Sequence, residues 1–317
     1  MKNIFATAAM CAAITLASCN SGGDANVTPE TPDAQQPVSF TATVGNVDAS
    51  PATRASGDTW ATNDKIGVFM VGNGGTSVVD GVTNRELTTT AGDGAFATAE
   101  GSEIYYPTDG SKVDFIAYYP YDAAKSALDL PYSVTLGDQT NQAVFDLLWA
   151  KSDNSGAGYS KTSEGAVALN FKHVLSKLVM NVKAGDGVGE SELDGHMTVT
   201  IKETHSGVRF NFGSGAFLQQ LLPTDITAHF VGTSNGENNS TIYNYDAIVA
   251  PFNYTFSAVT VEFELTSGEK FVWAPGAIEF VSGKQHTYNV TLNRTGVSAT
   301  GSITDWVAGT GGDVVAQ

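Results

Sequence analysis

The chain has 317 residues, 42% of them hydrophobic, with 33 carboxylates against 16 lysines and arginines and a formal charge of −17. That apolar content excludes bulk disorder, and the length is enough for two domains of ordinary size. The charge, with no cluster of Lys and Arg anywhere, excludes nucleic acid as a partner, because phosphate binding needs a basic surface.

Lys2 opens a targeting segment. Its apolar run, Ile4 to Leu16, is too short to span a bilayer as a helix and has the small-residue exit of a secretory signal. Leu16-Ala17-Ser18-Cys19 resembles the bacterial lipobox, whose cysteine thiol takes a diacylglycerol and becomes the new N-terminus. Residues 1–18 are therefore expected to be a lipoprotein signal peptide, with Cys19 as the lipidated residue. Cys11 leaves with the signal, so no disulfide is expected to support the exported fold. No later apolar stretch is long enough to cross a membrane as a helix, which makes lipid on Cys19 the expected anchor. Residues 19–37, rich in Gly, Asp, Pro and Gln, read as a flexible tether.

Order begins at Val38. Val38, Phe40, Ala42 and Val44 alternate with Ser39, Thr41 and Thr43, the period-two pattern of a half-buried strand. Asn46 to Gly57 breaks that pattern and reads as an exposed loop. Ile66 to Met70 is nearly continuous in apolar side chains. Alternation returns at Val113–Tyr119, Val167–Phe171, Leu178–Val182, Met197–Ile201, Val259–Leu265 and His286–Leu292. Glycine-containing turn signals such as Asn73-Gly74, Asp109-Gly110 and Ser267-Gly268 separate the runs. Only Ala143–Ala150 and the stretch His173–Leu178 offer a helical turn or two. Short strands at this spacing predict an all-β protein built from antiparallel sandwiches. A polar break at Ser152–Gly165 suggests two sandwiches in tandem, 38–160 and 161–317.

Catalytic signals are weak. The five histidines are scattered, and Asp194 with His196 and Glu203 with His205 lack the further ligands of a metal site. His286 lies on the apolar face of its strand and reads as a core residue. His173 reads as a local hydrogen-bonding residue. Gly232-Thr233-Ser234-Asn235-Gly236 matches the letters of a nucleophile elbow, but a polar run follows where a helix is needed. No enzyme activity, cofactor or metal is expected. Tyr105-Tyr106, Tyr118-Tyr119, Tyr121 and Trp149 suit either sandwich core or a sugar-stacking platform. A monomeric glycan-binding surface lipoprotein is accordingly the alternative function.

Several local sequences, taken in order, resemble one family. They are Phe40–Val44, Thr53-Arg54-Ala55-Ser56-Gly57, Trp60, Asp64, Ile66–Phe69, Phe115–Tyr121, Asp146–Ala150, Phe171–Leu178, Gly283–Leu292 and Ile303–Trp306. The series is similar to the fimbrillins, lipoprotein subunits of Bacteroidales cell-surface fimbriae. The resemblance implies two tandem transthyretin-like β-sandwich domains and a precursor displayed on the outer membrane. It also implies cleavage between Arg54 and Ala55 by a trypsin-like protease, loss of the first strand (Val38, Phe40, Ala42, Val44), and donor-strand exchange with other fimbrial subunits. A host glycan or protein is the implied adhesion ligand. Arg54 is the only basic residue between Lys2 and Lys65. The donor is expected after Trp306, where Val307-Ala308 and Val314-Val315-Ala316 are interrupted by Gly309, Gly311 and Gly312.

Overall fold

A computed structural model describes residues 35–45, 60–128, 132–193, 196–254 and 259–306. Its strands, in chain order, begin with β1 (Phe40–Val44), β2 (Lys65–Gly72), β3 (Arg85–Thr88), β4 (Ala95–Phe96), β5 (Val113–Tyr119), β6 (Tyr132–Thr135), β7 (Leu148–Ser152) and β8 (Val167–His173). Then come β9 (Ser176–Ala184), β10 (Thr198–His205), β11 (Gly207–Asn211), β12 (Ala216–Gln220), β13 (Pro223–Thr227), β14 (His229–Asn235) and β15 (Thr241–Val249). The last are β16 (Phe252–Tyr254), β17 (Thr260–Glu264), β18 (Lys270–Trp273), β19 (Ile278–Phe280), β20 (Lys284–Asn293) and β21 (Gly296–Asp305). Helix among the described residues is limited to three short 3₁₀ turns. The protein is all-β.

The largest sheet has seven strands in the order β3-β2-β5-β7-β8-β1-β4. Its centre is covered on both faces. Ile66, Val68 and Met70 of β2 enter one core with Val113, Phe115 and Ala117 of β5. Phe69, Val71, Ile116 and Tyr118 point the other way into a second core. This explains the near-continuous apolar run in β2, since a strand buried on both faces has no polar side. β8 is different. It strictly alternates, burying Val167, Leu169 and Phe171 and exposing Ala168, Asn170 and Lys172.

The second core draws most of its residues from the later part of the chain. There a five-stranded sheet runs β14-β15-β9-β20-β21, with a smaller sheet β13-β10-β17-β18 and a three-stranded sheet β12-β11-β6. Pairing is antiparallel throughout, except that β1 runs parallel to β8 and β20 parallel to β9. The polar segment Ser152–Gly165 connects β7 to β8, which lie side by side in the large sheet.

Neither stretch expected to offer a helical turn or two forms an α-helix. A 3₁₀ turn occupies Gln139–Val144, and the residues after it form β7, because Trp149 pairs with Tyr118 of β5 and Lys172 of β8. Val174 and Leu175 make a bend between β8 and β9 rather than a helix.

Candidate functional site: the first strand and its groove

β1 sits inside the seven-stranded sheet. On one side all five residues pair in parallel with β8, from Phe40 opposite Val167 to Val44 opposite Phe171. On the other side only Phe40 and Thr41 pair with the two residues of β4. The backbone bonds continue beyond the strand. Val167 donates to the Ser39 carbonyl at 2.8 Å, Gly45 to Phe171 at 2.9 Å, Ala42 to Gly94 at 2.7 Å and Val38 to Ile104 at 2.8 Å.

The side chains follow the alternation in the sequence. Phe40 and Ala42 are each 4% exposed, Val38 and Val44 are half-buried, and Ser39, Thr41 and Thr43 face out. Phe40 meets Phe115 edge to face at 5.2 Å. Trp60 closes the groove. Its ring contacts Phe96, Phe171 and Tyr119 at 4.9, 5.2 and 5.5 Å, and its indole N–H donates to the Ala42 carbonyl at 2.9 Å. Gly94 has φ +85°, and a Cβ there would lie 2.4 Å from the Ala42 oxygen. Only glycine allows the chain to approach β1 this closely. These wall residues come from distant parts of the chain, so the β1 alternation gave no sign of them.

Arg54, Ala55 and Cys19 lie outside the described residues, as does the segment after Trp306. The residues flanking 46–59 are described, and both touch β1. Gly45 ends the strand and Trp60 is bonded to it.

The other candidates have ordinary surroundings. His286 is fully buried. Its Nε2 accepts from the Val281 N–H at 3.1 Å and its Nδ1 has no partner among the described residues, and burial lowers its pKa. Burial also lowers the pKa of His205. His173 is buried with Nδ1 3.0 Å from the Asp146 carboxylate, and its ring stacks on Trp306 at 3.7 Å. Asp194 lies outside the described residues, and no cluster of three or more His, Cys, Asp and Glu suited to a metal occurs among those described. Ser234 belongs to β14, opposite Ile242 of β15, and is followed only by a three-residue 3₁₀ turn, Glu237–Asn239, not the helix a nucleophile elbow needs.

Of the tyrosines, Tyr106 and Tyr118 are core residues. Tyr118 stacks on Phe212 at 4.4 Å, and its hydroxyl donates to Asn84. Burial pushes the Tyr106 hydroxyl up to about 12. Tyr119 and Tyr121 are half-buried and packed against the cores.

The described residues thus form an all-β fold in which β1 is seated between β8 and β4 against an aromatic-lined groove, the architecture of a β-sheet protein rather than of a metal-dependent site. Comparison with known proteins is more specific. The fimbrillin-like family model matches residues 53–306. A Bacteroides uniformis protein named "Putative fimbrium subunit Fim1C" is 32% identical over 319 residues, covering 98% of each chain. A crystal structure of a "putative cell adhesion protein" from Bacteroides uniformis is 29% identical and superposes with a TM-score of 0.67, over 88% of this chain and 100% of that one. A second, from Bacteroides ovatus, has the same TM-score at 22% identity, over 86% and 99%, and shows the fold alone. The chain belongs to the fimbrillin-like family. Membership of this family supports a role as a fimbrial subunit.

Proposed function

We propose that the chain is exported as a Cys19-lipidated precursor, held at the outer membrane, cut between Arg54 and Ala55, and incorporated into a fimbria by donor-strand exchange. The observation that carries this reading is the seating of β1. Removing it would strip β8 of a five-residue partner and open a groove walled by Trp60, Phe96, Phe115 and Phe171. Unpaired strand edges beside exposed apolar surface recruit another strand. Reburying one phenylalanine, one methyl and two half-exposed valines contributes about 4–7 kcal/mol before association costs. A cut after Arg54 releases β1 but keeps Trp60 on the subunit, where its indole N–H offers a bond to the incoming strand.

The two-sandwich division, 38–160 and 161–317, belongs to this proposal, with β8 of the groove drawn from the second portion and the donor sought at that portion's C-terminal end. The test is to treat the purified precursor with a trypsin-like protease and follow assembly by light scattering. Wild type is expected to be cut first after Arg54 and then to polymerise, while Arg54→Ala stays monomeric. A processed subunit that remains a stable monomer with β1 still bound would refute the mechanism.

A further inference from the structure

A cavity of about 470 Å³ lies at the end of β1, a volume in the range of small-molecule sites. Two half-buried aromatic rings line it, Trp149 of β7 and Phe217 of β12. Trp149 is held rigidly. Its indole N–H donates to the Phe212 carbonyl at 2.9 Å, and Gly215 packs so close that a Cβ there would sit 2.5 Å from the ring. The buried His173–Trp306 stack forms another part of the wall.

The charge at this cavity runs against that of the whole protein. Its lining residues include two lysines, Lys172 and Lys284, and one acidic residue, Asp305, in a chain with twice as many acidic as basic residues. Lys284 is paired with Asp305. Lys172 stands directly opposite Trp149 on the neighbouring strand and has no carboxylate partner among the described residues. A fixed aromatic face, an unpaired cation beside it and an ion pair at the rim therefore converge on one space.

We propose that this cavity binds an acidic pyranose, a sugar ring carrying a carboxylate. The apolar C–H face of such a ring packs on Trp149 and Phe217, as sugars do on aromatic side chains. The carboxylate meets Lys172 in a charge-assisted hydrogen bond. The Lys284–Asp305 pair supplies a donor and an acceptor for ring hydroxyls. A neutral sugar keeps the stacking but forgoes Lys172, and a simple anion keeps Lys172 but forgoes the rings. This proposal gives the adhesion reading a ligand chemistry; Gly45 of the lining would leave with β1, so binding is measured on the uncut chain and either reading can fail alone.

Uronates and sialates share the required chemistry. The experiment uses the full mature chain as Arg54→Ala, uncut, titrated with galacturonic acid, N-acetylneuraminic acid and galactose. Tryptophan fluorescence and saturation-transfer NMR report binding. At least one acid should bind about tenfold more tightly than galactose, the worth of one charged hydrogen bond. That advantage should shrink as salt rises from about 50 to about 500 mM, because the rim is open to solvent. Lys172→Gln, at an exposed position, should erase the preference with an unchanged circular dichroism spectrum. Phe217→Ala should weaken all three sugars. Whichever acid binds better identifies the source, uronan or sialoglycan. Equal binding of all three, no binding of any, or a preference that survives Lys172→Gln would overturn the proposal.

Discussion

Phe40→Ala tests both the seating of β1 and its removal. The ring is 4% exposed and packs edge to face on Phe115 at 5.2 Å. Truncating a buried phenylalanine costs about 3–5 kcal/mol, from lost transfer energy and the cavity left behind. With a urea dependence of about 2–3 kcal/mol per molar, the unfolding midpoint of the precursor should fall by about 1–2 M. The decisive measurement comes after cleavage behind Arg54 and removal of the released peptide. Residue 40 has then left with β1, so processed wild type and processed Phe40→Ala should have the same midpoint, both below that of the intact wild type. Equal midpoints for the two precursors would mean that the ring does not support the groove. A difference that persists after processing would mean that β1 stays in place, and exchange at this groove would be refuted.

Three further outcomes are expected. Gly94→Ala should destabilise the precursor by about 2–4 kcal/mol, from strain at positive φ and the clash with the Ala42 oxygen, and a melting temperature within a degree of wild type would contradict the close approach. Burial lowers the pKa of His286 in the folded state, so the unfolded chain binds the extra proton first; stability should be level above about pH 6.5 and fall as pH drops below it. Urea midpoints at several pH values check this, and His286→Leu should reduce the dependence, leaving the share of His205, whose pKa burial also lowers. Cys19→Ala should abolish incorporation of labelled fatty acid, and retained label would remove Cys19 as the acceptor.

The strands that sequence periodicity located were those with a strong apolar face. β2, β5, β8, β9, β17 and β20 bury large side chains at regular spacing, so composition and position coincide. β21 escaped notice because it lies at a sheet edge and is mostly exposed; ten residues of register with β20 hold it, not its own side chains. β7 resembled a helical turn because Leu147 and Leu148 are adjacent and both buried, one in each core. At the site, β1 announced itself by alternation, but its partner did not. Thr43 bonds to Asn170, 127 residues away, and a parallel pairing at that separation leaves no local mark in the sequence. Trp60 and Phe171 stood out as parts of a family resemblance, yet their shared role as groove walls appears only once the chain is folded.

The parallel arrangement of β1 and β8 has a consequence for any larger assembly. In parallel pairing the slanted hydrogen bonds distinguish one strand direction from the other. An occupant that reproduces the bonds of β1 must therefore enter with the same polarity, its N-terminal end beside Val167 and its C-terminal end beside Phe171. A joint repeated this way relates unlike surfaces of successive subunits, which is the heterologous contact that yields open filaments rather than closed rings. If the proposed exchange builds it, such a filament has two chemically different ends, one presenting an empty groove and the other an unspent strand, and growth at either is decided by which of the two an arriving subunit still has to offer.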